Sequence, residues 1–94
     1  MMEKIKRVEF RIFAPHVENV HLCGSFNDWS ESSDPMKKDS TGTWKKIKML
    51  PEGTHEYKFL VDGEWTLDPE CHDTTSNEFG TENNAIYLKI ALNH

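Results

Sequence analysis

Long apolar runs are missing from this chain of 94 residues. No stretch approaches the roughly 20 consecutive apolar residues of a membrane-spanning helix. The opening Met1-Met2-Glu3-Lys4-Ile5 has no apolar signal core, and Met2 stands where a myristoylation signal needs glycine. A cytoplasmic protein without a membrane partner is therefore expected. Positive charge is scarce as well. Eleven Lys and Arg face 16 Asp and Glu, for a net charge of -5. Phosphate binding needs clustered cations, so no nucleic-acid partner is expected. Lys45, Lys46 and Lys48 read as one solvated strand face. Cysteine is limited to Cys23 and Cys71, which are expected to be free thiols in a reducing compartment.

Helical periodicity is also missing: no segment carries a sustained apolar stripe at 3.6-residue spacing. Alternation with a period of two is present instead. Val8, Phe10 and Ile12 alternate with Arg7, Glu9 and Arg11, and Pro15 ends that strand. Val20 and Leu22 begin a second strand. Gly24 to Pro35 reads as a long polar loop, and Asp39 to Gly42 as a turn. From Trp44 to Leu50 alternation is imperfect. Trp44 shares a face with Lys46 and Lys48, and Ile47 and Met49 share the other, which predicts a bulge or an edge strand. Tyr57, Phe59 and Val61 point one way, and Glu56, Lys58 and Leu60 the other. Asp62-Gly63 is a two-residue hairpin signal. Asp68 to Glu82 is polar and turn-rich. A last strand from Ala85 to Leu92 places Ile86, Leu88 and Ile90 on one face.

Short strands separated by frequent turn signals predict an all-β, immunoglobulin-like antiparallel sandwich. One domain over residues 1–94, with its core at about 7–90, suits the length. The predicted core is Val8, Phe10, Ile12, Val20, Leu22, Ile47, Tyr57, Phe59, Val61, Ile86 and Leu88. Trp44, at the start of a strand, is read as packing.

Two other tryptophans stand at turns. Trp29 closes Gly24-Ser25-Phe26-Asn27-Asp28-Trp29, with polar residues on both sides, and Trp65 follows the hairpin turn. A large aromatic with few apolar neighbours makes a poor core residue and a good flat platform. The C–H face of a sugar ring suits such a surface. Alternation turns Lys58 away from the core, where its ammonium can reach hydroxyl groups. Thr81 and Asn83, beside Phe79 in a late turn, offer matching donors and acceptors. The expected platform is two rings open to solvent and near enough to coplanar to seat a curved chain of sugars. A metal site is not expected: alternation puts His21 and Cys23 on one strand face, but nothing fixes Cys71, with its neighbour His72, near them. Catalysis is not expected either, because the carboxylates lie in turns and on solvated faces without a cleft. No cofactor is expected.

Taken together, Gly24 to Trp29, Pro51 to Trp65, Asp68-Pro69 and Phe79 to Asn84 resemble a family 48 carbohydrate-binding module. The chain is especially similar to the glycogen-binding domain of AMP-activated protein kinase β subunits. It also resembles the early-set N-terminal domains of isoamylases and branching enzymes. The resemblance implies an early-set sandwich that binds an α-1,4-glucan such as glycogen, starch or a maltooligosaccharide without catalysis. It implies that Trp29 and Trp65 stack on sugars, that Lys58 and Asn83 hydrogen-bond, and that Thr81 lies in the same loop. Phe79 stands where the kinase-type domain carries a leucine. A glucan-metabolising enzyme is the expected protein partner. The kinase-scaffold role of β subunits is not expected to transfer, since the chain stops soon after the sandwich. The alternative is a structural or protein-interaction module derived from a family 13 glycoside hydrolase.

Overall fold

The computed structural model describes residues 4–90. Strand follows strand along the chain: β1 (Ile5–Phe13), β2 (Val20–Gly24), β3 (Lys37–Lys38), β4 (Thr43–Pro51), β5 (Gly53–Val61), β6 (Glu64–Thr66), β7 (Thr74–Ser76) and β8 (Glu82–Leu88). One turn of 3-10 helix spans Ser25–Asn27, and the described residues hold no α-helix. They therefore hold no helix long and apolar enough to cross a membrane. All strand pairs are antiparallel. One sheet has the order β1-β4-β3; the other has the order β2-β5-β8-β7, with β6 paired to β5.

The two sheets enclose a core of Phe10, Ile12, Val20, Leu22, Met36, Trp44, Leu50, Tyr57, Phe59 and Leu88. Aromatic edges knit it together. Phe10 meets Tyr57 edge-on at 4.8 Å between ring centroids, and Tyr57 meets Phe59 at 5.8 Å. Such tilted pairs are favoured by the ring quadrupole. Trp44 is packed as expected, and its indole Nε1 donates to the Ala14 carbonyl at 2.9 Å.

Several expectations need correcting. Ile47 is 43% exposed and lies outside the core. Val8, Val61 and Ile86 are half-buried against the core, while Met36 and Leu50 complete it. β4 has no bulge; it pairs with β1 in unbroken register from Thr43 to Pro51. Because Phe10 and Ile12 face inward, their partners Lys46 and Trp44 share that face, and Ile47 turns outward. The edge reading holds in part, since β3 pairs with β4 only at Lys45 and Trp44. The last strand spans Glu82 to Leu88, so Lys89 and Ile90 lie beyond it. Leu92 and the opening Met1 and Met2 lie outside the described residues. β7 is a strand within the stretch read as turns.

The inward lysines of β4 find a buried acid. Asp34 is 5% exposed and accepts from Lys48 Nζ at 3.1 and 3.2 Å, with Lys46 Nζ 3.7 Å away. Burial raises the Asp34 pKa. Hydrogen bonds from Asn27 and Lys48, and the charges of Lys48 and Lys46, outweigh it and hold the carboxyl below its ordinary value. The Asp62-Gly63 hairpin forms as read, with φ of 45° and 84°. Both cysteines are free. Burial first, then the nearby Glu31 and Asp34 charges, push the Cys23 thiol up to about 11.

Candidate functional site

Trp29 is set by the loop that leaves β2. Gly24 runs so close to β5 that an added Cβ would sit 2.5 Å from the Glu56 carbonyl oxygen and 2.7 Å from the Phe26 ring. The Asn27 side chain clamps the turn that follows. Its Oδ1 accepts from Gly24 N at 3.0 Å, and its Nδ2 donates to Leu22 O at 3.0 Å and to Asp34 Oδ2 at 2.7 Å. Asp28 and Trp29 then take left-handed backbone angles, with φ of 54° and 59°. For a tryptophan that conformation is strained, by about 1–3 kcal/mol. The Trp29 N–H returns to the Gly24 carbonyl at 2.9 Å. The clamp holds a ring where the backbone alone would not.

Trp65 stands on β6, directly across from Leu60 of β5. Its ring is 48% exposed, whereas that of Trp29 is half-buried. The two rings lie on the same side of the molecule, with centroids 6.5 Å apart. They are not coplanar: the planes meet at 71°, edge to face. This corrects the expected flat platform. The two indoles meet edge-on, a geometry that suits their quadrupoles. The result is an aromatic corner.

Phe79 is carried by the turn between β7 and β8. The Asn77 side chain clamps this turn. Its Oδ1 accepts from Phe79 N and Thr81 N at 3.0 and 3.2 Å. Its Nδ2 donates to Thr81 Oγ1 at 2.8 Å and to Asn83 Oδ1 at 3.0 Å. Gly80 supplies the left-handed step, with φ of 80°. Phe79 is left 82% exposed.

Lys58 turns outward from β5, and its Nζ donates to Thr81 Oγ1 at 3.3 Å. The Thr81 oxygen thus accepts from both Asn77 and Lys58, which leaves its hydroxyl proton to donate outward. Asn83 is 7% exposed, and its amide is held at both ends. Its Nδ2 donates to Glu56 Oε1 at 3.1 Å while its Oδ1 accepts from Asn77. One amide hydrogen of Asn83 and the second oxygen of Glu56 are left over.

These elements enclose one open cavity of about 600 Å³, lined by Trp29, Glu56, Lys58, Trp65, Ser76, Asn77, Glu78, Phe79, Thr81 and Asn83. All six residues singled out from the sequence lie on it. Glu56 and Asn77 were missed. Glu56 could have been found from alternation, since it shares the outward face of Lys58. Asn77 was not singled out, because its role is to bond neighbours two, four and six residues ahead. Asn84 turns inward, fully buried, to bond Asp68 N at 2.7 Å and Cys71 O at 3.2 Å. Asp68 also accepts from the Tyr57 hydroxyl at 2.6 Å. Burial, then that bond to a carboxylate, push the Tyr57 phenol well above its ordinary range. This network ties the segment before β7 to the sandwich and so supports the cavity from beneath. Among the described residues, no group of three His, Cys, Asp or Glu is placed to hold a metal ion.

The cavity offers aromatic faces at an angle, an ammonium, a hydroxyl, an amide and a carboxylate. That set suits a bent, polyhydroxylated chain with C–H faces. The family model for the glycogen recognition site of AMP-activated protein kinase matches residues 11–93. Over 72 residues the chain is 49% identical to 5'-AMP-activated protein kinase subunit beta-1 of Sus scrofa, covering 77% of this chain and 56% of that one. It is 47% identical to the beta-1 subunit of Homo sapiens, over 77% of this chain and 25% of that protein. It is 44% identical to the beta-2 subunit of Mus musculus, over 77% of this chain and 26% of that protein. The chain thus spans about half the length of the pig relative and about a quarter of the other two. With a match that runs through nearly every strand of the sandwich, this chain belongs to the family of the AMP-activated protein kinase glycogen recognition site.

Proposed function

We propose that this module binds an α-1,4-glucan in the cavity, without catalysis, through the corner made by Trp29 and Trp65. The observation that carries this reading is the convergence of two indoles with Lys58, Thr81 and Asn83 on one open cavity. Consecutive glucose units of an α-linked chain change direction, so two ring faces set at an angle suit it better than a flat floor. Lys58 and the Thr81 hydroxyl donate to sugar oxygens, and the spare Asn83 amide hydrogen does the same. The spare Glu56 oxygen accepts. Phe79 adds an exposed apolar face at the rim. No metal or cofactor is called for, since hydroxyl and C–H contacts need none.

Each indole face covers about 80–100 Å² of apolar area, or about 2–2.5 kcal/mol at ~25 cal/mol/Å². The cost of association offsets much of that. The dissociation constant is therefore expected at roughly 10 µM to 1 mM. Binding of this strength suits recruitment to a polymer with many repeated sites. The partner so recruited is a glucan-metabolising enzyme or, following the names of the relatives, a protein kinase.

The test is a titration with maltoheptaose or β-cyclodextrin, followed by tryptophan fluorescence. Saturation in the stated range supports the reading, together with a loss of about tenfold or more in Trp65→Ala. Trp65 is exposed enough that its removal leaves the fold standing. No response up to ~10 mM sugar overturns the reading and leaves a protein-binding module in its place.

A further inference from the structure

The outward face of β5 and β8 continues past the cavity. On β8, Asn84, Ile86 and Leu88 turn toward the core, so Asn83, Ala85 and Tyr87 face outward. On β5, Tyr57 and Phe59 turn in, and Thr54, Glu56 and Lys58 turn out. The register sets Glu56 opposite Ala85 and Thr54 opposite Tyr87. Tyr87 is therefore a diagonal neighbour of Glu56 on one face, about 7–8 Å away, within reach for an aromatic side chain. Glu56 lines the cavity. Along β8 the outward residue between cavity and tyrosine is Ala85, whose methyl group leaves the path low.

Tyr87 is 68% exposed, more than any other large hydrophobic among the described residues except Phe79. The other exposed aromatics sort by position. Trp65 and Phe79 belong to the cavity, and Phe13 lies on the opposite sheet, at the end of β1. A single exposed tyrosine is ordinary. This one stands in line with a site that already gathers aromatic rings.

We propose that Tyr87 is an additional sugar-stacking subsite, which takes the glucan chain as it leaves the cavity over Glu56 and Ala85. The proposal rests on the glucan reading above and sharpens it. From Asn83 to Tyr87 the strand advances about 14 Å, four residues at ~3.4 Å each. A short oligosaccharide held at the tryptophan corner does not reach that far, whereas a long chain does. The tyrosine ring offers a flat face, and its hydroxyl can both donate and accept. The ligand it selects is a long α-glucan chain such as an outer branch of a storage polymer.

The experiment compares the wild-type chain with Tyr87→Ala, Tyr87→Phe and Trp65→Ala by calorimetric titration with maltotriose and with a long linear maltodextrin. Tyr87→Ala is expected to bind maltotriose within about twofold of wild type and the maltodextrin about three- to tenfold more weakly. Tyr87→Phe keeps the ring and is expected to retain most of the long-chain affinity. An unchanged affinity of Tyr87→Ala for the maltodextrin overturns the subsite, and so does an equal loss for both sugars. Those outcomes leave the tryptophan corner standing if Trp65→Ala still weakens both sugars. Wild-type binding to neither sugar overturns the glucan reading itself, and the subsite falls with it.

Discussion

The two walls of the cavity use the same device in different surroundings. On one side Asn27 clamps the loop that presents Trp29. On the other, Asn77 clamps the turn that presents Phe79. Each amide makes several hydrogen bonds, and each holds a backbone that includes a left-handed residue. Asn27, however, reaches the buried Asp34 and the carbonyl of the fully buried Leu22. Asn77 bonds only within its own hairpin, to exposed Phe79 and Thr81 and to Asn83 six residues on. Water can replace what Asn77 does far more readily than what Asn27 does. One wall is therefore fixed by the fold, and the other by a local turn.

The sharpest way to break this comparison is to remove each clamp. Asn27→Ala strands Gly24 N, Leu22 O and one side of Asp34, and is expected to lower unfolding stability by about 2–3 kcal/mol in urea titrations. A loss below about 0.5 kcal/mol would show that the clamp is not what ties Trp29 to the fold. Trp29→Gly tests the strain on the same wall. Glycine accepts the left-handed backbone freely, so stability is expected within about 1 kcal/mol of wild type even though a half-buried ring is gone. Sugar affinity is expected to drop about tenfold or more.

Asn77→Ala is expected to cost less than about 1 kcal/mol of stability and to weaken sugar binding by about three- to tenfold, because Phe79 and Thr81 lose their fixed positions. Equal stability losses for the two clamp variants would erase the distinction between the walls.

Acid sharpens the contrast differently. The partners of Asn77 are amides and a hydroxyl, whereas Asn27 bonds a carboxylate. The pKa of Asp34 is lower in the folded chain than its ordinary 3.8. Its contribution to stability is thus fully present above that value and is lost as pH falls through the lower folded value. Thermal melts taken from neutral pH downward are expected to fall below about pH 4, with a shallower fall in Asp34→Asn. An identical pH profile for the variant would remove Asp34 from the account. The smallest effect is expected from Phe79→Leu, which keeps an apolar rim: sugar affinity within about threefold and stability unchanged.

Much of the fold was legible in the sequence. Alternation gave β1 and β5 their inward Phe10, Ile12, Tyr57 and Phe59, and Asp62-Gly63 marked its hairpin. β4 was misread at Ile47. Its alternation allows either face to be buried, and hydrophobicity favoured the side with Ile47 and Met49. Pairing with β1 decided otherwise, and Asp34 made two inward lysines tolerable. The six proposed sugar contacts could be named because tryptophans in polar turns stand out and because the motifs resemble a known family. Glu56 was open to naming from the outward face it shares with Lys58, but the role of Asn77 and the tilt between the indoles were not. Both of these depend on which side chains meet after folding.

The order of strands and turns, the outward direction of Lys58 and the odd placement of Trp29 and Trp65 follow from local chemistry: period-two alternation, glycine and proline punctuation, and indoles among polar neighbours. The gathering of residues from 29 to 83 around one cavity, the 71° corner and the burial of Asn83 between Glu56 and Asn77 belong to the tertiary structure. Strand pairing across the five-stranded sheet joins positions that are dozens of residues apart, and no local pattern encodes which faces those pairings bring together.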